Sequence, residues 1–269
     1  MFWEKKMLYR KIYFKILSLY IKCIVSYRLD FVFQLIGGFL LQFTGIFYVI
    51  VLFNNIADIN GWSVYHLMLF YSLTVFAKAF ADIFLSGAWA LPKKIQMGEM
   101  DIMILRPVPL IVQLMPIITS SQGLSNIVGG LIMLIFSLLK LKIDLGFTDL
   151  IIIVEAIVFG GIIHASINFI GACLSFWTNG IVSSALTMFA RSFCEFNKFP
   201  LDIYPRFMQH MLTVIIPYGF ISYFPSLTIL DMKSSYTTMF IIPLVSCCIA
   251  TLAFVIWHVG LRKYESTGS

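Results

Sequence analysis

The sequence predicts an all-α polytopic membrane protein with six transmembrane helices, an N-terminal interfacial helix and re-entrant helices before the last span. Three observations predict this class: the composition, a series of long apolar stretches, and the distribution of Lys and Arg. Of the 269 residues, 60 % are hydrophobic and 12 % are charged. A soluble domain has about 45–50 % apolar residues and about 25 % charged residues. Because so few charges cannot cover a water-exposed surface, we expect a bilayer as the solvent.

The N-terminal region 1–29 is predicted to be an amphipathic helix in the headgroup layer. Lys11, Lys15 and Lys22 fall near one face of it. Apolar residues fill much of the rest, including Ile12, Ile16, Leu19 and Cys23. No small-residue cleavage signal follows, so we expect no removable signal peptide. The helix is either a topology anchor or an elbow that docks on a partner subunit.

Region 30–269 is predicted to be a single transmembrane domain with seven apolar candidate segments. Each is close to the roughly 20 residues that a helix needs to cross the hydrocarbon core. The six assigned as spans lie at about 31–53, 64–86, 118–139, 151–176, 180–198 and 237–259, and the seventh segment is 207–230.

The basic residues predict that both termini are cytoplasmic. Lys and Arg concentrate in the N-terminal segment, in the loop 87–110 and at the C-terminus, whereas the loop 54–63 has neither. Cytoplasmic flanks collect these residues, so the number of spans is even and one of the seven segments does not cross. We expect a bacterial-type cell membrane.

The segment 207–230 is the favoured non-spanning one, because Pro217 and Pro225 each interrupt a helical ladder. It is expected to form two short re-entrant helices on the outer side. Placing 180–198 inside the cell would satisfy the charge rule equally. That stretch carries Arg191 and Glu195, which are spaced to pair on one helix face.

Common sequence motifs for nucleotide binding, metal binding and catalysis are absent. The sequence contains no GxxxxGK[ST], HExxH, CxxC or GxSxG pattern. The four histidines are dispersed, and the five cysteines suggest no disulfide framework. We therefore expect no catalytic residue, no metal site and no nucleic-acid binding. Lys78 and Asp82 are spaced to pair near the end of the second span, and no string of midplane carboxylates suggests a proton relay.

The loop 87–110 is longer than a chain reversal needs, which indicates that it contacts something. Turn signals lie at Gly98 and Pro107. Between them, acidic residues are predicted on one side and apolar residues are available for burial on the other. The acidic residues are Glu99 and Asp101, and the apolar residues are Met100, Ile102 and Leu105.

Four short motifs resemble one family. The stretch GEMDIMILRPVP (98–109) resembles the G-x-(M/L)-D-x-x-L-x-R-P-x motif of type-2 ATP-binding-cassette (ABC) exporter permeases. Further matches are FPLDIYPRF (199–207), IIPYGFISYFPS (215–226) and W-x-x-GLRKYESTG (257–268). Together they extend the resemblance over essentially the whole chain.

The resemblance implies a permease subunit whose loop after the second span seats in a separate ATPase. The residues it assigns to that coupling loop are Lys93, Lys94, Gly98, Glu99, Asp101, Arg106 and Pro107. Those it assigns to a re-entrant segment over 199–230 are Pro200, Tyr204, Pro205, Pro217 and Pro225.

The implied assembly has two permeases, identical or paralogous, and two ABC ATPases, with membrane lipid around them. ATP and Mg²⁺ would bind the ATPase, and this chain would bind no cofactor and catalyse no reaction. The alternatives are an ion-coupled secondary transporter and a non-transporting membrane scaffold.

Overall fold

A computed structural model describes residues 2–55, 60–115, 122–178, 181–232 and 235–264. These residues form helices joined by turns, with no β-strand among them. The predicted all-α class is therefore confirmed. The expected first residues of two spans, at 118 and 180, lie outside the described residues, as do 265–268 of the C-terminal motif.

Thirteen α-helices follow one another in the described chain. The first six are α1 (Phe2–Ser26), α2 (Arg28–Asn55), α3 (Val64–Phe84), α4 (Leu91–Gln96), α5 (Glu99–Ile104) and α6 (Leu110–Leu114). The remaining seven are α7 (Gln122–Leu141), α8 (Phe147–Cys173), α9 (Ser175–Thr178), α10 (Ile181–Phe193), α11 (Arg206–His210), α12 (Tyr223–Ile229) and α13 (Ser235–Lys263).

Five of these helices are long and apolar enough to cross a membrane: α2, α3, α7, α8 and α13. A bent helix pair, Arg206–Ile215 with Tyr218–Ile229, raises that number to six if it is counted as one span. The chain is thus polytopic, as the composition predicts.

Helix α3 lies at the centre of the bundle. The apolar window of α3 is 78 % buried, against 17 % for α2 and for α13. Glycines on α8 allow the close approach, since a Cβ at Gly161 would meet Phe80 and the Ala77 backbone. The outer helices keep apolar side chains exposed, as a lipid-facing surface requires.

The two ends of the bundle hold different parts of the chain. At one end, Phe169 of α8 and Trp257 of α13 pack with the segment between α3 and α7. Tyr13 of α1 also reaches this end, because its hydroxyl donates to the Phe84 carbonyl oxygen over 2.5 Å. We call this the terminus-bearing end. At the opposite end, Trp62 packs with Val49 and Leu227.

Helix α1 meets α2 at a bend at Tyr27. Leu17 is buried, whereas Phe14 and Leu19 are more than half exposed. The lysines of α1 at 11, 15 and 22 are exposed as well. A helix that exposes both kinds of side chain suits the boundary between water and lipid.

Between α10 and α13 the chain folds as a series of short helices. Helix α10 continues as a 3₁₀ turn over Cys194–Lys198, and α11 continues as a π turn over Met211–Ile215. Leu212 and Tyr218 then contact Ile163 halfway along α8, whereas Phe199 and Leu227 both lie near Trp62. Phe199 and Leu227 thus lie close to the same tryptophan, and the bent pair Arg206–Ile215 with Tyr218–Ile229 fits either one broken span or a re-entrant loop.

Only one of the two prolines breaks this path. The helix axis bends by 76° at the break before Tyr218, where Pro217 lies. Pro225, in contrast, lies within the first turn of α12. The prediction that Pro225 interrupts the ladder was wrong, because the first-turn N–H groups of a helix have no intrahelical partner to lose.

Candidate functional site

The segment between α3 and α7 carries the predicted coupling residues. We call residues 85–115 the loop segment. It contains a 3₁₀ turn (Ser86–Ala90) followed by α4, α5 and α6. Gly98 separates α4 from α5 with a φ of 68°, in the left-handed region. Its N–H donates to the Ile95 carbonyl oxygen over 3.1 Å. Glycine suits this position because it has no Cβ to clash there.

Apolar side chains anchor the loop segment to the bundle. Leu91, Ile95 and Met100 are at most 1 % exposed. They belong to the same packed cluster as Phe169 of α8 and Trp257 of α13. A force on α4 or α5 therefore acts directly on two long helices, because packed side chains have little free space to absorb it.

Hydrogen bonds hold the C-terminal half of the loop segment together. The Gln113 side-chain amide donates to the carbonyl oxygens of Met103, over 3.1 Å, and Val108, over 2.8 Å. The Gly87 N–H donates to the Met115 carbonyl oxygen over 3.2 Å. A Cβ at Gly87 would clash with the Leu114 backbone, so the two ends of the loop segment pack backbone to backbone.

Part of the loop segment is exposed and apolar. Leu105 is 85 % exposed, Met97 is 60 % exposed and Ile102 is 58 % exposed. Of the three apolar residues available for burial, Met100 is buried within the chain, whereas Ile102 and Leu105 are exposed. The reason is that α5 is one short helix, and a short helix buries a single face. We call Met97, Ile102 and Leu105 the apolar face.

The charged residues of the loop segment have different partners. Lys94 pairs with Glu99 over 2.6 Å, and this hydrogen bond lowers the pKa of the Glu99 carboxyl. Asp101 accepts a hydrogen bond of 3.0 Å from the Tyr264 hydroxyl. Lys93, Arg106 and Pro107 are exposed. The sequence motifs around Asp101 and Tyr264 are therefore in direct contact, which no local pattern indicated.

The residues predicted for the re-entrant segment lie between α10 and α12 or, for Pro225, within α12. The Tyr204 hydroxyl donates to the Phe196 carbonyl oxygen over 3.0 Å. Pro205 precedes α11 and is exposed, whereas Pro200, Pro217 and Pro225 are buried. The connection at the opposite end is made by Asp202, which accepts a hydrogen bond of 2.9 Å from the Trp62 indole.

A charged cavity of 330 Å³ lies between α2, α3, α7, α8 and α10, and Arg191 and Glu195 are among its exposed lining residues. Lys78 of α3 pairs with Glu195 over 2.5 Å, and Lys198 pairs with the same carboxylate. The expected Lys78–Asp82 and Arg191–Glu195 pairs are both wrong. Lys78 and Asp82 both lie in α3, but Glu195 engages Lys78 and Asn126 donates to Asp82. Arg191 and Glu195 lose the four-residue spacing of an α-helix because the helix tightens to 3₁₀ after Phe193.

No local pattern indicated the other polar residues of the cavity, because they lie on separate helices. Asn126 of α7 donates to Asp82 of α3 over 3.2 Å. Gln42 of α2 donates to Asn126 over 2.6 Å. His164 of α8 completes this wall. Helix packing alone brings these four residues together.

These features define a class of protein, a polytopic helical membrane protein with an anchored loop segment and a charged interior. The family model for the ABC-2 family transporter protein matches residues 39–268. The chain therefore belongs to the ABC-2 transporter family, and it is an ABC transporter permease at the level of that family. No curated protein and no solved structure matches it.

Proposed function

We propose that the chain is the membrane-spanning half of an exporter and that its loop segment docks on a separate ABC ATPase. In this proposal the loop segment and both termini are cytoplasmic, in a bacterial-type cell membrane. ATP and Mg²⁺ bind the ATPase. The family match supports the permease role, and the apolar face is the observation that carries the docking.

The apolar face suits a protein partner. Met97, Ile102 and Leu105 are exposed beside Lys93, Glu99 and Arg106. In protein interfaces, apolar residues of this kind become buried at the centre of the contact, and polar residues surround them as a rim. The basic residues of the loop segment favour a cytoplasmic location, where it would meet an ATPase.

The packing beneath the apolar face suits the transmission of force. Closure of the ATPases on ATP would press on α4 and α5. The buried residues Leu91 and Met100 then act on Phe169 and Trp257, so α8 and α13 move with the loop segment. Rigid helices that rock as a body are a common way to change the access of a transporter.

A second permease subunit completes the proposed path. Helix α2 is 17 % buried and exposes a row of phenylalanines, among them Phe39, Phe43 and Phe47. In the proposed complex this surface faces lipid and the second permease, which is either an identical chain or a paralogue. The cargo path lies between the two permeases.

The decisive experiment changes Leu105 to Glu and measures co-purification with the cognate ABC ATPase. Leu105→Glu places a charge where the apolar face would be desolvated. We expect the bound ATPase to fall about tenfold, as for a central interface residue. Leu145→Glu is the matched control, since Leu145 is also exposed but lies in the turn between α7 and α8.

Undiminished ATPase binding by Leu105→Glu, with the control also unchanged, would contradict the proposed docking. Transport that needs no ATPase and follows an ion gradient would instead support a secondary transporter. A membrane fraction in which no ATPase and no transport accompany the chain would support a scaffold.

A further inference from the structure

The charged cavity plays no part in the docking proposed above. It follows α3 from Tyr71 to Asp82, which is about 16 Å of helix. Its volume of 330 Å³ is within the range of about 300–1,000 Å³ found for small-molecule sites. Charged side chains inside apolar spans are costly and indicate a functional site.

The charges of the cavity favour an acidic ligand. Lys78, Arg191 and Lys198 face two carboxylates, so one formal positive charge is in excess. The Glu195 carboxylate is engaged by both lysines. The Arg191 guanidinium lies 4.3 Å from the centre of the Trp89 ring, and within the described parts of the chain it forms no ion pair. The charge of Arg191 acts on the Asp82 carboxylate, but its guanidinium is not held in an ion pair and can still contact a ligand.

Gln42 adds an unused hydrogen-bonding atom. Ionised Asp82 only accepts, so Asn126 must point its amide nitrogen at Asp82 and its oxygen at Gln42. With the amides in these orientations, the Gln42 Oε1 atom has no partner, although Gln42 is only 9 % exposed and lines the cavity. A buried acceptor without a partner is costly unless a ligand or water supplies a donor.

His164 adds a second unused atom. The Asn168 amide nitrogen lies 3.4 Å from the His164 Nε2 atom, which makes Nε2 the acceptor. In the neutral ring the proton is then on Nδ1. The Nδ1 atom has no partner, and His164 is 3 % exposed and lines the same cavity. The cavity thus holds a cation without an ion pair, an N–H donor without a partner and an acceptor without a partner.

We propose that this cavity binds the phosphate or carboxylate group of an amphiphilic ligand, with Arg191 as the main contact. His164 donates a hydrogen bond to the ligand, and Gln42 accepts one from a hydroxyl or amide on it. The ligand is amphiphilic because the cavity opens beside Leu41, which is 62 % exposed on the apolar surface of α2. A cationic ligand would meet the excess positive charge.

The test uses the full-length permease, purified without an ATPase in a neutral maltoside detergent. Thermal unfolding is followed during titration with dodecyl phosphate, and dodecyltrimethylammonium serves as the cationic comparison. We expect saturable stabilisation by dodecyl phosphate alone. Arg191→Gln raises the apparent Kd about tenfold, because a charge-assisted contact is lost.

Two variants keep the result interpretable. Arg191→Lys retains the charge and is expected to bind more tightly than Arg191→Gln. Arg262→Gln removes an exposed arginine at the end of α13, outside the cavity, and is expected to bind as the unmodified protein does. Equal binding by the unmodified protein and Arg191→Gln, or equal stabilisation by the cationic amphiphile, would overturn the proposal.

Two further titrations identify the source of the acidic group. Inorganic phosphate alone tests a free anion, and nanodiscs containing phosphatidylglycerol test a bilayer lipid that competes with dodecyl phosphate. Arg191-dependent binding in either arm supports the site and names its source. Because no ATPase is present, this result and the co-purification result fail independently.

Discussion

Asp101 and Tyr264 are joined by a hydrogen bond of 3.0 Å although they are 163 positions apart. The contact attaches the end of α13 to the loop segment. It also gives Asp101 a role within the subunit, in addition to any contact it makes with a partner. A change at Asp101 alone therefore tests two properties at once, which is why Leu105 is the better probe of docking.

Changing Tyr264 to Phe removes this hydrogen bond and keeps the ring that packs on Phe176. Because the pair is partly exposed, we expect a loss of about 0.5–1 kcal/mol in the free energy of unfolding. The measurement is the thermal unfolding midpoint in detergent at neutral pH. Tyr236→Phe is the control, since Tyr236 is 75 % exposed at the start of α13.

The same contact predicts a dependence on alkaline pH. Burial, followed by the hydrogen bond to Asp101, raises the pKa of the Tyr264 hydroxyl from 10.0 to about 12. The raised pKa favours the protonated form in the folded state, so this stability is complete below pH 10 and is lost as the pH rises toward about 12. Tyr264→Phe should lack this part of the alkaline loss. An identical pH profile for both proteins would contradict the assignment.

At the scale of elements, the path from α10 to α12 shows how short helices line a bundle. Asn197 is 2 % exposed, and its amide donates to the Tyr218 carbonyl oxygen over 2.8 Å. The Ser222 hydroxyl donates to the Asn197 carbonyl oxygen over 3.0 Å. Backbone groups freed by the break at Pro217 are thus near polar partners, which broken helices inside a membrane require.

Changing Trp62 to Phe should loosen the part of this path that lies near Trp62. The variant removes the donor that holds Asp202 and leaves a gap in a site that is 7 % exposed. We expect local opening to become about 1 kcal/mol easier, which raises its population about fivefold. Limited trypsin cleavage after the exposed Arg206 reports this opening.

Trp177→Phe is the matched control for Trp62, because Trp177 is 46 % exposed at the terminus-bearing end. Cleavage after Arg206 should remain slow in this variant. Equal cleavage rates in the two variants would show that the indole of Trp62 does not restrain residues 199–206.

At the scale of the whole molecule, the proposed orientation has a direct test. If the loop segment is cytoplasmic and 199–230 is re-entrant from outside, Arg206 and Arg106 lie on opposite sides of the membrane. In a cysteine-free background, an impermeant maleimide added to intact cells should label Arg206→Cys and leave Arg106→Cys unlabelled. Inverted vesicles should give the reverse.

This labelling also separates the two arrangements that the sequence left open. If 180–198 stayed inside the cell and 207–230 crossed, Arg206→Cys would be labelled only from the cytoplasmic side. That outcome would contradict the proposed orientation of α10 and α11. Both native arginines are exposed, so substitution disturbs little packing.

The sequence by itself determined the membrane environment of this protein, its helical class and the position of the loop segment. These properties depend on local composition, on the length of apolar stretches and on turn residues such as Gly98, and each can be read within about 20 residues. The tertiary structure decided which charges meet, which proline breaks a helix and where the cavity lies.

The reason is that local spacing predicts contacts only within one continuous helix. Lys78 meets Glu195 and Asp101 meets Tyr264 because separate helices pack side by side. Whether Pro225 breaks a helix depends on where α12 begins, and Ser222 at its N-terminal end is fixed by its contact with Asn197. Gln42, Asn126 and His164 become parts of one site only when α2, α7 and α8 surround α3.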